Sequence, residues 1–180
     1  NILLILLLHT LSPAHAKTVL ITGSNRGIGL EFVRQYSELG WEVIATSRSP
    51  EDDTELLKLA GLQSNIILKA LDVTNHKQID QLAEDLKEKS IDVLLNNAGI
   101  LGGDNSIQTI GDIDFKAMEL VYKTNSIGPL KMAEAFLPHV TASEEKKIVV
   151  ITSGTASLAN VKKSKYFKSL YLYRMSKTAI

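Results

Sequence analysis

The sequence predicts an α/β fold built on a doubly wound parallel sheet, and two features of the chain predict it. From Lys17 onward, short apolar runs rich in β-branched residues alternate with longer amphipathic segments, which is typical of βαβ units. A glycine-rich turn at residues 22–29 lies between the first apolar run and the first amphipathic segment. We therefore expect parallel strands joined by right-handed helical crossovers.

The individual elements follow from the period of the apolar residues. Short β-branched runs predict strands at residues 18–22, 42–46, 66–71, 91–96 and 147–152. The amphipathic segments between them predict helices at residues 28–39, 54–60, 77–89 and 112–140, followed by a last helix that begins near Leu172. Because proline interrupts helical hydrogen bonding, the longest helix is expected to bend or break at Gly128-Pro129. The unbroken apolar run at residues 148–151 predicts a fifth strand that is buried on both faces.

The composition is that of one globular domain. The 180 residues are 44% hydrophobic and 22% charged, and the formal net charge is zero. Because there is no basic excess to neutralise a run of phosphates, nucleic acid is not expected as a partner. The absence of cysteine excludes disulfides, thiolate metal sites and a cysteine nucleophile. No metal site is predicted, since the histidines lie far apart in the sequence, at His9, His15, His76 and His139.

Residues 1–16 form an apolar extension that precedes the predicted domain, which covers residues 17–180. The apolar run at residues 2–8 is too short to span a bilayer. It resembles the apolar part of a secretory signal, with Ala14-His15-Ala16 as a small-residue cleavage site, although no basic residue precedes it. The extension is therefore either a segment without a role in the fold or a targeting signal. A cytoplasmic location is favoured, and secretion or membrane targeting is the alternative.

The glycine-rich turn is a candidate nucleotide site. At the start of a helix, backbone N–H groups and the helix dipole can hold a pyrophosphate, and glycine permits sharp turning and close approach. The spacing T-G-x-x-x-G-x-G differs from the general dinucleotide fingerprint G-x-G-x-x-G and is similar to that of the classical short-chain dehydrogenase/reductase family. The resemblance implies a single Rossmann-like domain. It also makes these residues candidates for cofactor binding: Gly23, Ser24, Asn25, Arg26, Gly27, Ile28 and Gly29.

Two arginines favour NADP(H) over NAD(H) as the cofactor. In dinucleotide folds an acidic residue about 20 positions beyond the glycines binds the ribose 2′-hydroxyl of NAD, whereas arginine there accommodates the 2′-phosphate of NADP. Arg48 occupies that position. Arg26, directly before Gly27, supplies a second planar guanidinium that can bind the same phosphate.

Two further segments resemble the cofactor site of the family. Asp72, followed by Val73, ends the third predicted strand, and the resemblance implies that this aspartate contacts the adenine ring. An unbroken N-N-A-G follows the fourth strand at residues 96–99. In relatives, small residues of this motif let the backbone pass the cofactor, and an asparagine braces the sheet. The resemblance thus adds five cofactor-binding candidates, which are Asp72, Val73, Asn97, Ala98 and Gly99.

Tyr173 and Lys177 are candidates for the chemistry because they are four positions apart and so share one face of a helix. Reducing a carbonyl with a nicotinamide hydride requires a proton donor, and a tyrosine serves if a nearby ammonium lowers its pKa from about 10. The resemblance implies that Tyr173 is the general acid/base. It implies that Lys177 lowers the pKa of this tyrosine and binds the nicotinamide ribose. By the same resemblance, Tyr173 and Lys177 are both candidates for cofactor binding. Such a pair is common by chance, and its assignment depends on the motifs that precede it.

The resemblance adds two more catalytic candidates. Ser153, which follows the fifth strand, aligns with the serine that orients and polarises the substrate carbonyl. Ser157 competes for that role because residues 161–167 lengthen the interval to the tyrosine relative to the family, but its distance from the strand fits a supporting position better. Asn125 aligns with the asparagine that bends the long helix and holds a water between the lysine and solvent.

These features favour an NADPH-dependent reductase of an aldehyde or ketone. The runs at residues 125–129 and 173–179 resemble the carbonyl-reductase-like branch of the family, which includes the C-factor and sniffer-type proteins. An NAD(P)+-dependent alcohol dehydrogenase is an open alternative, since the fold and the catalytic residues serve both directions. An epimerase of the extended branch is disfavoured by the glycine spacing.

The resemblance covers residues 17–180 and implies two more strands beyond Ile180. The sheet is therefore expected to be incomplete, with an exposed edge. A short form that binds NADP without catalysis, in a regulatory role, is a second hypothesis. The expected partners are a small carbonyl or alcohol substrate and further copies of the chain, in a homodimer or homotetramer.

Overall fold

The computed structural model describes residues 16–102, 108, 111–160 and 170–180. Within these residues, five strands form a parallel sheet in the order β3-β2-β1-β4-β5. The strands are β1 (Thr18–Thr22), β2 (Glu42–Ser47), β3 (Ile66–Ala70), β4 (Val93–Asn96) and β5 (Lys147–Val150). This arrangement confirms the predicted α/β fold with a parallel, Rossmann-like sheet. Residues 1–15 of the apolar extension and the predicted insertion at residues 161–167 lie outside the described part.

Helices cover both faces of the sheet. They are α1 (Gly27–Glu38), α2 (Thr54–Leu62), α3 (His76–Asp85), α4 (Phe115–Tyr122), α5 (Gly128–Thr141) and α6 (Tyr171–Thr178). Alternate residues of β1 point to opposite faces, as the two-residue period of a strand requires. Val19 packs in one cluster with Val33 of α1, whereas Leu20 packs in the other with Ile79 of α3 and Phe136 of α5. Each such fully buried side chain contributes about 1.5–3 kcal/mol to folding.

The long helix predicted at residues 112–140 is interrupted, but not at the predicted position. One turn of π-helix, Lys123–Ile127, separates α4 from α5, and it buries Thr124, Asn125 and Ser126. Gly128 and Pro129 instead form the first turn of α5. Proline is tolerated in the first turn of a helix because its fixed φ suits a helix and few N–H groups there are needed for intrahelical bonds. The π turn, a common cause of helix distortion at functional sites, produces the irregularity.

The prediction that β5 is buried on both faces is wrong. Ile148 and Val149 are 39% and 37% exposed. β5 pairs with β4 at one side and ends the described sheet at the other. An edge strand has neighbours on one side only, so its side chains are covered less than those of the central strands. The burial of this apolar strand therefore depends on the strands beside it, which its own sequence does not indicate.

Two general properties concern the described part of the chain as a whole. None of its helices is both long and apolar enough to cross a membrane. In the same residues, histidine, aspartate and glutamate side chains form no cluster of three or more that could hold a metal ion.

Candidate active site

The glycine turn between β1 and α1 depends on backbone conformations and distances that only glycine allows. Gly23 and Gly27 have positive φ angles of 68° and 56°. A Cβ atom on Gly29 would lie 2.1 Å from the carbonyl oxygen of Gly23. In contrast, a Cβ on Gly27 would meet no atom within 4 Å. Gly23 and Gly27 therefore shape the turn through their backbone conformations and Gly29 through its close approach, while the space beside Gly27 at the start of α1 stays open.

The loop after β4 is bonded to this turn. The side-chain amide of Asn97 donates to the carbonyl oxygens of Thr22 at 3.0 Å and Gly23 at 2.9 Å. In return, the Thr22 hydroxyl accepts from the backbone N–H groups of Asn97 at 3.0 Å and Ala98 at 3.1 Å. The two loops thus form one rigid unit at the carboxyl ends of β1 and β4. The strand order reverses between these two strands, which is where doubly wound sheets bind nucleotides.

The start of α1 presents groups that suit a dinucleotide phosphate. Arg26, Gly27 and Ile28 are exposed there, and Ile28 is 61% exposed. Among the described residues, no side chain caps this helix, which leaves its first N–H groups for a ligand. Arg26 and Arg48 are both exposed and form no ion pair within the described part of the chain. These residues therefore fit a phosphorylated nucleotide.

Three other predicted cofactor residues have side chains engaged within the fold. The Ser24 hydroxyl is buried, donates to the carbonyl oxygen of Ile21 at 2.9 Å and accepts from the Thr46 N–H. The Asp72 carboxylate accepts from the N–H and hydroxyl groups of Thr74, both at 2.8 Å. Val73 is buried in the core. Their side chains position the loops. Any contact with a nucleotide would therefore be made by their backbone atoms or by Oδ2 of Asp72, since Oδ1 binds Thr74.

Asn125, on the π turn, joins the loop after β4 to α6. Its side chain is fully buried, and its Oδ1 accepts from the N–H of Ile100 at 2.8 Å. Its Nδ2 donates to the carbonyl oxygen of Ile100 and to the hydroxyl of Ser176, both at 2.9 Å. Ser126 adds a bond from its hydroxyl to the Ser176 carbonyl oxygen at 2.8 Å. These bonds fix the position of α6 relative to the cofactor side of the sheet.

Lys177 lies where these segments meet. Its side chain is almost completely buried, and its Nζ donates to the carbonyl oxygen of Ile151 at 2.7 Å. The same Nζ is 5.9 Å from the ring centroid of Tyr173 and would lie 3.4 Å from a Cβ atom on Gly99. Burial lowers the pKa of the Lys177 ammonium from its ordinary value, because the charged form loses solvation. The ammonium is thus held between the N-N-A-G loop and the face of Tyr173.

Ser153 follows β5 and begins a short 3-10 turn, Gly154–Ala156. Its hydroxyl accepts from the Thr155 N–H at 3.2 Å and lies 2.9 Å from the Thr155 hydroxyl. α6 packs against this turn, and Thr178 donates to the Ala156 carbonyl oxygen at 3.1 Å. In the described residues, no hydrogen bond joins the Tyr173 hydroxyl to Ser153 or Lys177. Ser157 ends the same turn and is half-buried.

Comparison with known proteins decides the family. The sequence model of a family described as short chain dehydrogenase matches residues 17–170, which is most of the chain. The chain belongs to the short-chain dehydrogenase family. This agrees with the resemblance that the glycine turn and N-N-A-G indicated.

Relatives of this short-chain dehydrogenase include several carbonyl reductases. The NADPH-bound carbonyl reductase from chicken fatty liver is 36% identical, with a TM-score of 0.80 over 92% of this chain and 67% of that one. Carbonyl reductase Sniffer of D. melanogaster is 29% identical, with a TM-score of 0.78 over 92% of this chain and 71% of that one. The (+)-neomenthol dehydrogenase of Arabidopsis thaliana is 34% identical over 78% of this chain and 55% of its own length. The chain spans little more than half the length of the first curated relatives that it matches.

Sequence reasoning missed three residues of this short-chain dehydrogenase site. Thr22 receives both N–H groups of the loop after β4, and its place next to Gly23 was an available signal. The Ser176 hydroxyl accepts from Asn125 and donates to the Tyr173 carbonyl oxygen at 2.8 Å. Asp53 accepts from Asn25 of the glycine turn at 3.2 Å, which no local pattern indicates.

Proposed function

We propose that this chain carries the cofactor site and the catalytic residues of an NADPH-dependent carbonyl reductase. In this proposal the protein reduces an aldehyde or ketone to an alcohol by hydride transfer, and Tyr173 is the proton donor. One observation carries the proposal: hydrogen bonds connect the glycine turn to Asn97, and Asn125 connects Ile100 to the helix that holds Tyr173 and Lys177. Phosphate-binding and proton-donating groups therefore belong to one rigid assembly.

The cofactor assignment rests on the groups around the glycine turn. The backbone at the start of α1 would bind the pyrophosphate, and Arg26 and Arg48 would bind the 2′-phosphate of NADP(H). The bound nicotinamide supplies the hydride. The NADPH-bound chicken carbonyl reductase supports the same choice, since it shares this fold over most of the chain. NADP(H) is therefore favoured over NAD(H).

The catalytic roles follow from the chemistry of carbonyl reduction. Negative charge develops on the substrate oxygen, and the Tyr173 hydroxyl donates a proton to it while the Ser153 hydroxyl orients it. Lys177 has three N–H donors, of which one is bonded to Ile151, so two can serve the tyrosine and a ribose hydroxyl. Asn125 holds α6 in place. These roles fall to side chains that follow β5, lie on the π turn or lie on α6.

Binding and turnover assays on the purified protein test this proposal. Wild-type protein should bind NADPH more tightly than NADH and consume it in the presence of aldehydes or ketones. Tyr173→Phe should keep NADPH affinity and lose at least about a hundredfold in kcat, because general acid catalysis contributes about 10²–10⁴-fold. Arg48→Asp should lose the preference for NADPH over NADH.

Three outcomes would contradict parts of this proposal. Unchanged cofactor preference in Arg48→Asp would refute the role of that arginine. NADPH binding without turnover in either direction would favour the non-catalytic short form. Turnover that proceeds only with NADP+ and alcohols would favour the alcohol dehydrogenase.

A further inference from the structure

A carboxylate accepts hydrogen bonds from the two residues that directly precede the arginines of the proposed 2′-phosphate site. Asp53 immediately precedes α2, and its Oδ1 accepts a hydrogen bond from the side-chain amide of Asn25 at 3.2 Å. Its Oδ2 accepts a short hydrogen bond from the hydroxyl of Ser47. Asn25 belongs to the glycine turn, and Ser47 ends β2 directly before Arg48. Asp53 therefore connects the two segments that form the adenosine side of the site.

N-capping of α2 does not explain the position of the Asp53 side chain. Asp53 is the N-cap residue of α2, where an aspartate ordinarily accepts from the N–H groups of the second or third helical residue. No such bond forms, although the Asp53 backbone carbonyl accepts from Leu57 at 2.9 Å. The carboxylate does not cap α2. It accepts hydrogen bonds from the glycine turn and from the end of β2 instead. Its half-buried position follows from those two bonds.

The Asp53 carboxylate lies near the end of β2, and this is where NAD-binding and NADP-binding sites differ. In dinucleotide folds an acidic group near the end of β2 binds a ribose 2′-hydroxyl, whereas arginine there binds a 2′-phosphate. Arg48 is the residue at that position in the sequence, but the Asp53 carboxylate is held at the adjoining Ser47. A 2′-phosphate bound by Arg48 would meet a like charge. It would also find the Ser47 hydroxyl and one of the two side-chain N–H donors of Asn25 already engaged.

We propose that Asp53 is a specificity-determining residue that weakens binding of 2′-phosphorylated nucleotides relative to 2′-hydroxyl nucleotides. The chain thereby becomes less selective for NADP(H) than Arg26 and Arg48 alone would make it. This inference rests on the proposed function, because it concerns the same nucleotide site. A ribose 2′-hydroxyl carries no charge, so the carboxylate does not repel it and can accept a hydrogen bond from it.

Nucleotide titrations of Asp53→Asn test the inference. Asparagine keeps the shape and one carbonyl acceptor but removes the charge. The variant should bind NADPH and 2′,5′-ADP about tenfold more tightly than wild type, while affinities for NADH and ADP change less than about twofold. The gain should shrink at high salt, because screening weakens interactions between partly exposed charges. The two ADP probes measure the 2′-phosphate effect without the nicotinamide.

Asp52→Asn is the matched control, since it removes the same charge from an exposed neighbour with no side-chain hydrogen bond in the described residues. It should change all four affinities less than about twofold. An equal gain from Asp52→Asn would overturn the inference, as would equal shifts for phosphorylated and unphosphorylated ligands in Asp53→Asn. Should Asp53→Asn fail to fold, Asp53→Ser provides the second neutral variant for the same titrations.

The wild-type titration separates this inference from the proposed function. If wild-type protein binds neither NADPH nor NADH, the proposed function is overturned and the inference with it. If wild-type protein binds NADPH and Asp53→Asn leaves the ratio of the NADPH and NADH affinities unchanged, only the inference is overturned.

Discussion

Asn125 donates a hydrogen bond to the hydroxyl of Ser176 at 2.9 Å, which joins the π turn to α6. Ser176 in turn donates to the carbonyl oxygen of Tyr173 at 2.8 Å and directly precedes Lys177. A single buried amide therefore couples the irregular part of the long helix to the helix that carries both candidate catalytic residues.

Asn125→Ala should lower the free energy of unfolding by about 2–4 kcal/mol, because it removes hydrogen bonds to the partly buried N–H and carbonyl groups of Ile100 and to the buried Ser176 hydroxyl. It should also lower kcat, since α6 loses its bond to the π turn. Urea denaturation and NADPH turnover measure the two effects. Ser126→Ala, which removes one bond to Ser176, should cost less in both assays. A loss below about 0.5 kcal/mol for Asn125→Ala would contradict the structural role.

Gly29→Ala should destabilise the protein and abolish nucleotide binding. The added Cβ would lie 2.1 Å from the Gly23 carbonyl oxygen and 2.5 Å from the Asn97 amide nitrogen, so the glycine turn would have to move. Gly61→Ala in α2 is the control, because a Cβ there meets nothing within 4 Å. Alanine favours a helix by about 1 kcal/mol over glycine, so this variant should be as stable as wild type or more stable. Thermal unfolding and NADPH titration compare the two variants. Equal stability and equal NADPH affinity of Gly29→Ala and Gly61→Ala would refute the claim that the turn has no space for a Cβ at Gly29.

Lys177→Met should change how stability depends on pH. Burial lowers the pKa of Lys177 below 10.5, so between its folded pKa and 10.5 the unfolded state binds more protons than the folded state. Stability from this group therefore rises with pH across that window, as the penalty of burying the charge disappears. Methionine carries no such charge and should lack this rise. Unfolding free energies measured at several alkaline pH values show whether this rise occurs. If stability depends on pH in the same way in wild type and Lys177→Met, Lys177 does not have the lowered pKa.

Glu145→Gln should reduce stability at neutral pH but not in strong acid. Hydrogen bonds from Lys147 and then Lys17 lower the pKa of Glu145 from 4.5 to about 2. Its contribution is therefore fully present above pH 4.5 and lost as the pH falls through about 2. Acid titrations of the unfolding transition should show the difference from wild type vanishing over that range. Glu144→Gln, at an exposed neighbour without an ion pair among the described residues, should show little difference at any pH.

Local patterns predicted most of the fold. Strand and helix periods depend on residues two to four positions apart, so β1 was predicted with the observed ends and the other strands to within two residues. Burial of β5 was predicted wrongly because it depends on which strands lie beside it. The irregularity in the long helix lies at the π turn and not at the predicted Gly128-Pro129, because proline fits the first turn of α5. A π turn has no simple local sequence pattern from which it could be predicted.

The sequence by itself determined the family, the glycine turn and the four-residue spacing of Tyr173 and Lys177, since each is a contiguous or helical pattern. Only the tertiary structure decided which groups meet across the chain. Asn125 bonds to Ile100 and Ser176, which are 25 and 51 positions away, and Asp53 bonds to Asn25, 28 positions away. Such contacts follow from how the helices pack on the sheet, because packing brings distant segments together without a matching pattern in either.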